Sequence, residues 1–308
     1  MTSAIAVEGL RKSFGPVRAV DGVSFEVEPG EVFALLGPNG AGKTTSIEVL
    51  EGFIQRDGGT VRVLGVDPGR RRDQRWLRTR IGVVLQELAV EPFFTVRQVL
   101  ERNAGFYPAP RPVGEVIELV GLAEKADARV KTLSGGQQRR LDVGLGIVGR
   151  PDILFLDEPT TGLDPAARRT TWELIEGLSR EGTTVVLSSH YMDEVEALAH
   201  NVVVLARGQV VATGPPASLG GRDRGRVTIR FSLPPSTPAD ALPVARTAGH
   251  GDEVEIETDD EVRVLAVVTT WALDRGIELR GLSVTRETLE DIYLGLTGAD
   301  DGPPTGQP

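Results

Sequence analysis

The stretch Glu31–Thr45, EVFALLGPNGAGKTT, carries three local signals in succession. Val32–Leu36 is a continuous apolar run, as in a strand buried on both faces. A glycine-rich turn follows, and then Ser46, Ile47 and Leu50 continue as a helix. Strand, turn and helix in that order make a phosphate-binding loop. Gly37, Gly40 and Gly42 let backbone amides, including that of the intervening Asn39, approach an anion without a β-carbon in the way. The helix N-terminus adds partial positive charge on the same target. Lys43 then suits the β- and γ-phosphates of a nucleotide, Thr44 a Mg²⁺ ion and Thr45 the α-phosphate.

Further along, Leu133-Ser-Gly-Gly-Gln137 offers a second anion cradle at what reads as a helix start. A single nucleotide needs one cradle. Two of them suggest a chain that holds one nucleotide and covers that of a second copy, as a dimer that ATP opens and closes. The run Ile153–Leu156 leads into Asp157 and Glu158, two acids at the carboxyl end of a buried strand, where α/β sheets place their ligands. Such a pair is costly without a cation or a proton. Asp157 suits the Mg²⁺ shell, and Glu158 a general base or a group that positions water. His190 ends another strand and suits a γ-phosphate contact, although a lone histidine is more often structural, as His200 and His250 are expected to be. Gln86 follows the strand run Ile81–Leu85, where its amide suits Mg²⁺ or the attacking water.

The chain has 308 residues, so one large and one small domain are expected. It has no cysteine, which removes disulfides and thiolate metal sites and fits a reducing compartment. No signal peptide is evident at the start, and no apolar run approaches the ~20 residues of a membrane span. Any membrane role must therefore pass through a partner. The formal charge is −10, with a strongly acidic C-terminal quarter, and this argues against a nucleic-acid partner.

Apolar runs at 81–85, 153–156, 184–187 and 202–205 join Val32–Leu36 as strands of a layered α/β domain. Arg207-Gly208 reads as a hairpin turn. Thr95 and Gln98 have capping-box spacing, and Val113, Val116, Ile117 and Val120 recur with helical period. With no clear strand between Gln86 and Ser134, that segment reads as a helical insert. The expected organisation is an ATPase domain over 1–219 with a helical subdomain at about 86–134, an accessory α+β domain over 220–298, and a disordered tail over 299–308. In the accessory domain 227–231, 253–258 and 277–285 read as strands, and 261–274 and 287–296 as helices. The arginines at 70–72, 75, 78 and 80 read as a solvated face.

Taken in order, these elements resemble the ATP-binding subunit of ABC transporters over about Ala4–Thr213. The resemblance implies a P-loop ABC ATPase domain, with a mixed-sheet core, an antiparallel β subdomain and a helical subdomain, plus the small C-terminal α+β domain. It identifies GPNGAGKTT as Walker A, Gln86 as the Q-loop, Ser134, Gly135, Gly136 and Gln137 as the signature, and ILFLDEP as Walker B. Asp164 becomes the D-loop acid and His190 the switch histidine. Phe14 falls where the family stacks an aromatic ring on adenine. The implied engine is a homodimer in which each signature covers the other copy's ATP, with Mg²⁺ held by Thr44, Asp157 and Gln86. The segment Leu282–Gly298 resembles ABC-2-type exporter ATPases, which include the daunorubicin/doxorubicin resistance group. That implies a separate membrane permease, export of a hydrophobic compound, drug, lipid or polymer, and a cytoplasmic location on the inner face of the membrane. The alternatives are an importer ATPase subunit and a soluble, non-transport ABC ATPase.

Overall fold

The computed structural model describes residues 3–84, 90–219, 227–234, 237, 241–245, 247–248 and 252–286. Contacts divide the chain into two compact units, Met1–Pro216 and Ala217–Pro308. The expected Q-loop residue Gln86, His250, the expected helix 287–296 and the tail 299–308 lie outside the described residues.

The first unit opens with two long strands, β1 (Ile5–Phe14) and β2 (Val17–Val27), which pair antiparallel. The next strand, β3 (Val32–Leu36), leaves for a second sheet, and β4 (Gly58–Val63) returns to pair with β1, giving the order β2-β1-β4. The second sheet adds β5 (Ile81–Val84), β6 (Ile153–Asp157), β7 (Thr184–Ser189), β8 (Asn201–Ala206) and β9 (Gln209–Gly214). Its order is β5-β6-β7-β3-β8-β9, parallel except for the last strand. Every residue of β3 and β7 is buried, which is why both read as unbroken runs in the sequence. The β8–β9 turn has Arg207 and Gly208 at φ 51° and 79°, the paired left-handed conformation whose twist matches a hairpin.

Leu10, Val23 and Phe25 of the first sheet share one core with Phe33, Leu35, Phe155 and Val203 of the second. Phe25 stacks on Phe33 with ring centroids 5.1 Å apart, so the antiparallel sheet packs on the strand that feeds the glycine loop. Each such fully buried side chain contributes about 1.5–3 kcal/mol.

Helices α1 (Lys43–Glu51), α2 (Arg71–Arg78), α3 (Val96–Ala104) and α4 (Val113–Leu119) come next in the chain. They are followed by α5 (Gly135–Ile147), α6 (Pro165–Arg180) and α7 (Met192–Leu198). The capping box on α3 is complete: Gln98 N–H donates to Thr95 Oγ1 at 3.2 Å, and Thr95 N–H to Gln98 Oε1 at 2.9 Å. In α2 only Leu77 is buried, and its arginines are solvent-facing.

In the second unit β10 (Val227–Ser232) lies between antiparallel β11 (Glu253–Thr258) and β12 (Arg280–Arg286). Helix α8 (Glu261–Arg275) covers one face, where Val268 and Trp271 pack with Ile229, Phe231, Val254 and Ile256. The alternation along β11 turns its acids outward.

Candidate active site

The glycine loop sits at the carboxyl end of β3, between β7 and β8, with Asp157 and Glu158 one strand further at the end of β6. Gly42 is the N-cap of α1 at φ 101°, and a β-carbon there would run into the Ala19 carbonyl. A β-carbon on Gly37 would likewise strike the Leu205 carbonyl. The loop therefore closes on its neighbours only with glycine at both places. Asn39 and Gly40 are exposed at its rim.

Lys43 is buried, and its Nζ donates to the carbonyls of Gly37 at 2.7 Å and Pro38 at 3.1 Å. Nζ is 4.0 Å from Glu158 Oε1. Burial pulls the ammonium pKa down, and the charges of Glu158 and Asp157 work against that. Thr44 is exposed beside it, and its Oγ1 lies 3.2 and 3.4 Å from the two carboxylate oxygens of Asp157. Thr45 is half-buried.

The acid pair is fixed by neighbours on both sides. Ser188, buried in β7, donates its hydroxyl to Asp157 Oδ1 and accepts the Glu158 N–H at 3.1 Å. Glu158 has φ 48°, the left-handed region that a glutamate adopts at a cost of about 1–2 kcal/mol. Thr161 Oγ1 donates to Glu158 Oε2 at 3.1 Å. His190 Nδ1 lies 3.1 Å from Glu158 Oε1 without hydrogen-bond geometry, and its ring leans on Tyr191 with centroids 4.0 Å apart. His200 is used structurally, its Nδ1 accepting the Val32 N–H at 3.0 Å.

Ser134 and Gln137 form a reciprocal capping box on α5. Gln137 N–H donates to Ser134 Oγ at 3.3 Å, and Ser134 N–H to Gln137 Oε1 at 3.0 Å. The Gln137 amide is thus engaged in its own helix start. Ser134 and Gly135 are exposed, while Gly136 faces α6, where an added β-carbon would stand 3.1 Å from Ala167 Cβ. Asp164 caps α6 by accepting the N–H groups of Ala166 at 3.0 Å and Ala167 at 2.9 Å. Among the described residues no hydrogen bond joins Ser134 or Gln137 to Lys43, Thr44, Asp157, Glu158 or His190. The structure gathers those five at one strand-end site and leaves the signature on a separate helix start of the same unit. Phe14 is half exposed in the β1–β2 hairpin, with Lys12 Nζ 5.3 Å from its ring centre.

Three supports have no motif in the sequence. Ser188 bridges the acids. Arg139, on α5, donates to the backbone carbonyls of Asp157, Glu158 and Pro159. Buried Glu194 accepts from Thr160 Oγ1 at 2.7 Å and Trp172 Nε1 at 3.3 Å. The sequence carries no local sign that singles out Arg139, because α5 opens polar, with Gln137, Gln138, Arg140 and Asp142 around it.

A hydroxyl and a carboxylate in contact, Thr44 with Asp157, are hard oxygen donors of the kind Mg²⁺ takes beside phosphate. Among the described residues no cluster of three or more His, Cys, Asp or Glu side chains forms a cation site by itself. The set thus fits a nucleotide-borne divalent ion, with phosphate supplying the remaining oxygens.

A family model described as ABC transporter matches residues 20–161. A second, described as ABC transporter domain-containing protein-like, C-terminal domain, matches residues 227–288. A Nod factor export ATP-binding protein I of Paraburkholderia xenovorans (strain LB400) is 40% identical over 306 residues, covering 97% of this chain and 98% of that protein. The daunorubicin/doxorubicin resistance ATP-binding protein DrrA of Streptomyces peucetius is 36% identical over 319 residues, covering 97% and 94%. Among solved structures, cbiO1 from Clostridium perfringens, part of the ABC transporter complex cbiONQ, superimposes with a TM-score of 0.64 at 28% identity. It covers 71% of this chain and 90% of its own. An ATP-binding cassette of an ABC transporter in its ADP conformation gives 0.62 at 26% identity, covering 70% and 92%.

Proposed function

The chain belongs to the family of ABC transporter ATP-binding proteins, and from that premise we propose how its residues share the work of an exporter ATPase. Lys43 and the amides of the loop from Gly37 to Thr45 hold the phosphates, and Phe14 offers its ring to the adenine. Thr44 and Asp157 would hold Mg²⁺, together with Gln86. When bound, the ion would supply neutralisation of the phosphate charge. Glu158 takes the proton of the attacking water, and His190 orients the γ-phosphate end of the site. Two chains pack head to tail, so that Ser134, Gly135 and Gly136 of one close over the ATP of the other, with Asp164 at the joint. Closure is favoured by ATP and relieved when the phosphate bridge is cut.

The observation that carries this reading is the cluster of Lys43, Thr44, Asp157, Glu158 and His190 at the ends of adjacent strands, to which, among the described residues, neither Ser134 nor Gln137 makes a hydrogen bond. The relatives named for Nod factor export and for daunorubicin/doxorubicin resistance support export of a hydrophobic compound, drug, lipid or polymer through a separate permease. No helix among the described residues is long and apolar enough to cross a membrane. In this proposal the chain sits at the inner membrane face, held there by that permease.

Complementation tests the shared site. Chains carrying Ser134→Arg or Lys43→Ala are each expected to be inactive. Mixing them rebuilds one intact composite site per heterodimer and should restore Mg²⁺-dependent phosphate release. Mixed chains as inactive as either alone would reject the trans arrangement.

A further inference from the structure

Glu158 sits in the left-handed region of backbone space, which a non-glycine residue holds only when its surroundings impose it. Ser188 holds the Glu158 N–H, the Thr161 N–H donates to the Glu158 carbonyl at 3.3 Å, and one side chain, Arg139, reaches the carbonyls on both sides of the Glu158 α-carbon. Arg139 Nη2 donates to the carbonyl oxygens of Asp157 at 2.8 Å and Glu158 at 3.1 Å, and Nε donates to the carbonyl of Pro159 at 2.8 Å. The peptide planes that carry the Asp157 and Glu158 carbonyls are the two that flank the Glu158 α-carbon. Holding both oxygens from one rigid guanidinium therefore restrains φ and ψ of Glu158 together, and with them the direction in which its side chain leaves the backbone toward His190, Lys43 and Thr161. The third bond holds the next plane, on the far side of Pro159. Nη1 donates to Asp142 Oδ2 at 3.0 Å, so the cation is anchored to its own helix while it reaches across. Ser188 secures the Glu158 N–H from the opposite side.

We propose that Arg139 is the positioning residue of the hydrolytic site: it holds Glu158 in the conformation that aims its carboxylate. This rests on the reading of Glu158 as the general base. Arg139 also lies five residues into the helix that Ser134 caps. A displacement of that helix start therefore reaches the base of the same chain through one side chain. The signature that closes over a partner's ATP and the base that cleaves the chain's own ATP are mechanically joined at Arg139.

The test uses the full chain with Arg139→Met and with Arg139→Lys, which keeps the charge beside Asp142 but cannot span three carbonyls. Both should lower kcat about tenfold or more while ATP Kd stays within about twofold, since the phosphate loop is untouched. The discriminating measurement is single-turnover hydrolysis in a Glu158→Gln background. A residue that acts through Glu158 has nothing left to position there, so adding Arg139→Met should change the residual rate by less than about twofold. If Arg139→Met slows the Glu158→Gln chain as much as the wild type, or if Arg139→Lys turns over at the wild-type rate, the positioning role is wrong. Wild-type turnover by Glu158→Gln alone would instead remove the general-base reading and leave the Arg139 result to be read separately. Should Arg139→Met fail to fold, Arg139→Lys carries the same comparison.

Discussion

His190 Nδ1 and Glu158 Oε1 stand 3.1 Å apart at the ends of the adjacent parallel strands β6 and β7. The same Oε1 is 4.0 Å from Lys43 Nζ, while Oε2 accepts from Thr161. One carboxylate thus faces a histidine, an ammonium and a hydroxyl. Its aim is set by groups from three different segments, which is the degree of preorganisation a proton acceptor needs.

Glu158→Gln tests the proton-accepting role with little change of shape. The amide oxygen still accepts from Thr161 but cannot take a proton from water. Turnover should fall about 10²–10⁴-fold, with ATP Kd changed less than about threefold. Because the bridging phosphate is no longer cut, ATP should also hold the variant as a dimer in size-exclusion chromatography. Turnover within about twofold of wild type would exclude Glu158 as the base.

Lys43→Ala removes a buried cation whose present partners are two loop carbonyls. In the proposed site, nucleotide affinity would rest on the same ammonium meeting phosphate. Two charge-assisted hydrogen bonds of about 1.5–3 kcal/mol each make a loss of at least about 100-fold in affinity the expected result by titration calorimetry. Unchanged affinity would mean that the loop binds something other than phosphate.

Sequence alone made the glycine loop, the acid pair and the buried strands legible because each follows from a demand of the backbone or of burial. Gly42 has a left-handed φ against the Ala19 carbonyl, and β3 and β7 have no exposed residue to break their runs. The sheet β2-β1-β4 was harder to read, since β2 alternates buried and exposed residues and β1 follows no clean period. The supports of Glu158 were not legible at all. Ser188 and Arg139 are ordinary residues in their own segments, and their roles exist only once β7 and α5 are placed beside β6. The Gln137 amide shows the converse: a motif residue whose side chain is spent locally, on a helix cap.

Thr160→Val probes the buried acid behind the site. Thr160 and Glu194 are both 0% exposed, and Thr160 Oγ1 donates to Glu194 Oε1 at 2.7 Å. Valine keeps the shape and removes the nearer of two donors, leaving the buried Glu194 Oε1 with Trp172 Nε1 at 3.3 Å. A loss of about 1–3 kcal/mol in unfolding free energy is expected by denaturant titration, with Thr160→Ser restoring most of it. Equal stability of the valine and serine variants would show that this bond carries no weight.

Glu51 gives a pH dependence with a definite sign. It is 6% exposed, and burial first, then the charges of Asp157 and Glu48, push its pKa from 4.5 to about 8. The folded state therefore holds this proton where the unfolded state has lost it. The contribution is fully present below pH 4.5 and is lost as pH rises through 8. Its slope is at most about 1.4 kcal/mol per pH unit. Asp142, raised to about 6, and Glu194, also raised by burial, add slope of the same sign. The diagnostic is therefore the difference between wild type and Glu51→Gln, measured without nucleotide or Mg²⁺. The glutamine variant should gain relative stability steadily from pH 5 to 8. A difference that does not change with pH would show that Glu51 titrates normally.

Gly82 tests how closely the signature helix rides on the sheet. A β-carbon added to Gly82, in β5, would collide with the Gly146 carbonyl of α5 and stand 2.9 Å from Leu154 Cδ1. The backbone of Gly146 cannot swing aside as a flexible side chain would, because α5 is held at its other end by Arg139 on β6. Gly82→Ala should therefore cost about 1–3 kcal/mol by overpacking, read as a lower denaturation midpoint at unchanged m-value. Any relief must come from lifting α5, and that movement would draw Arg139 away from Glu158. A fall in kcat with little change in ATP Kd should accompany the loss of stability. A destabilised variant with wild-type kcat would mean that the helix accommodates the methyl group without moving the base.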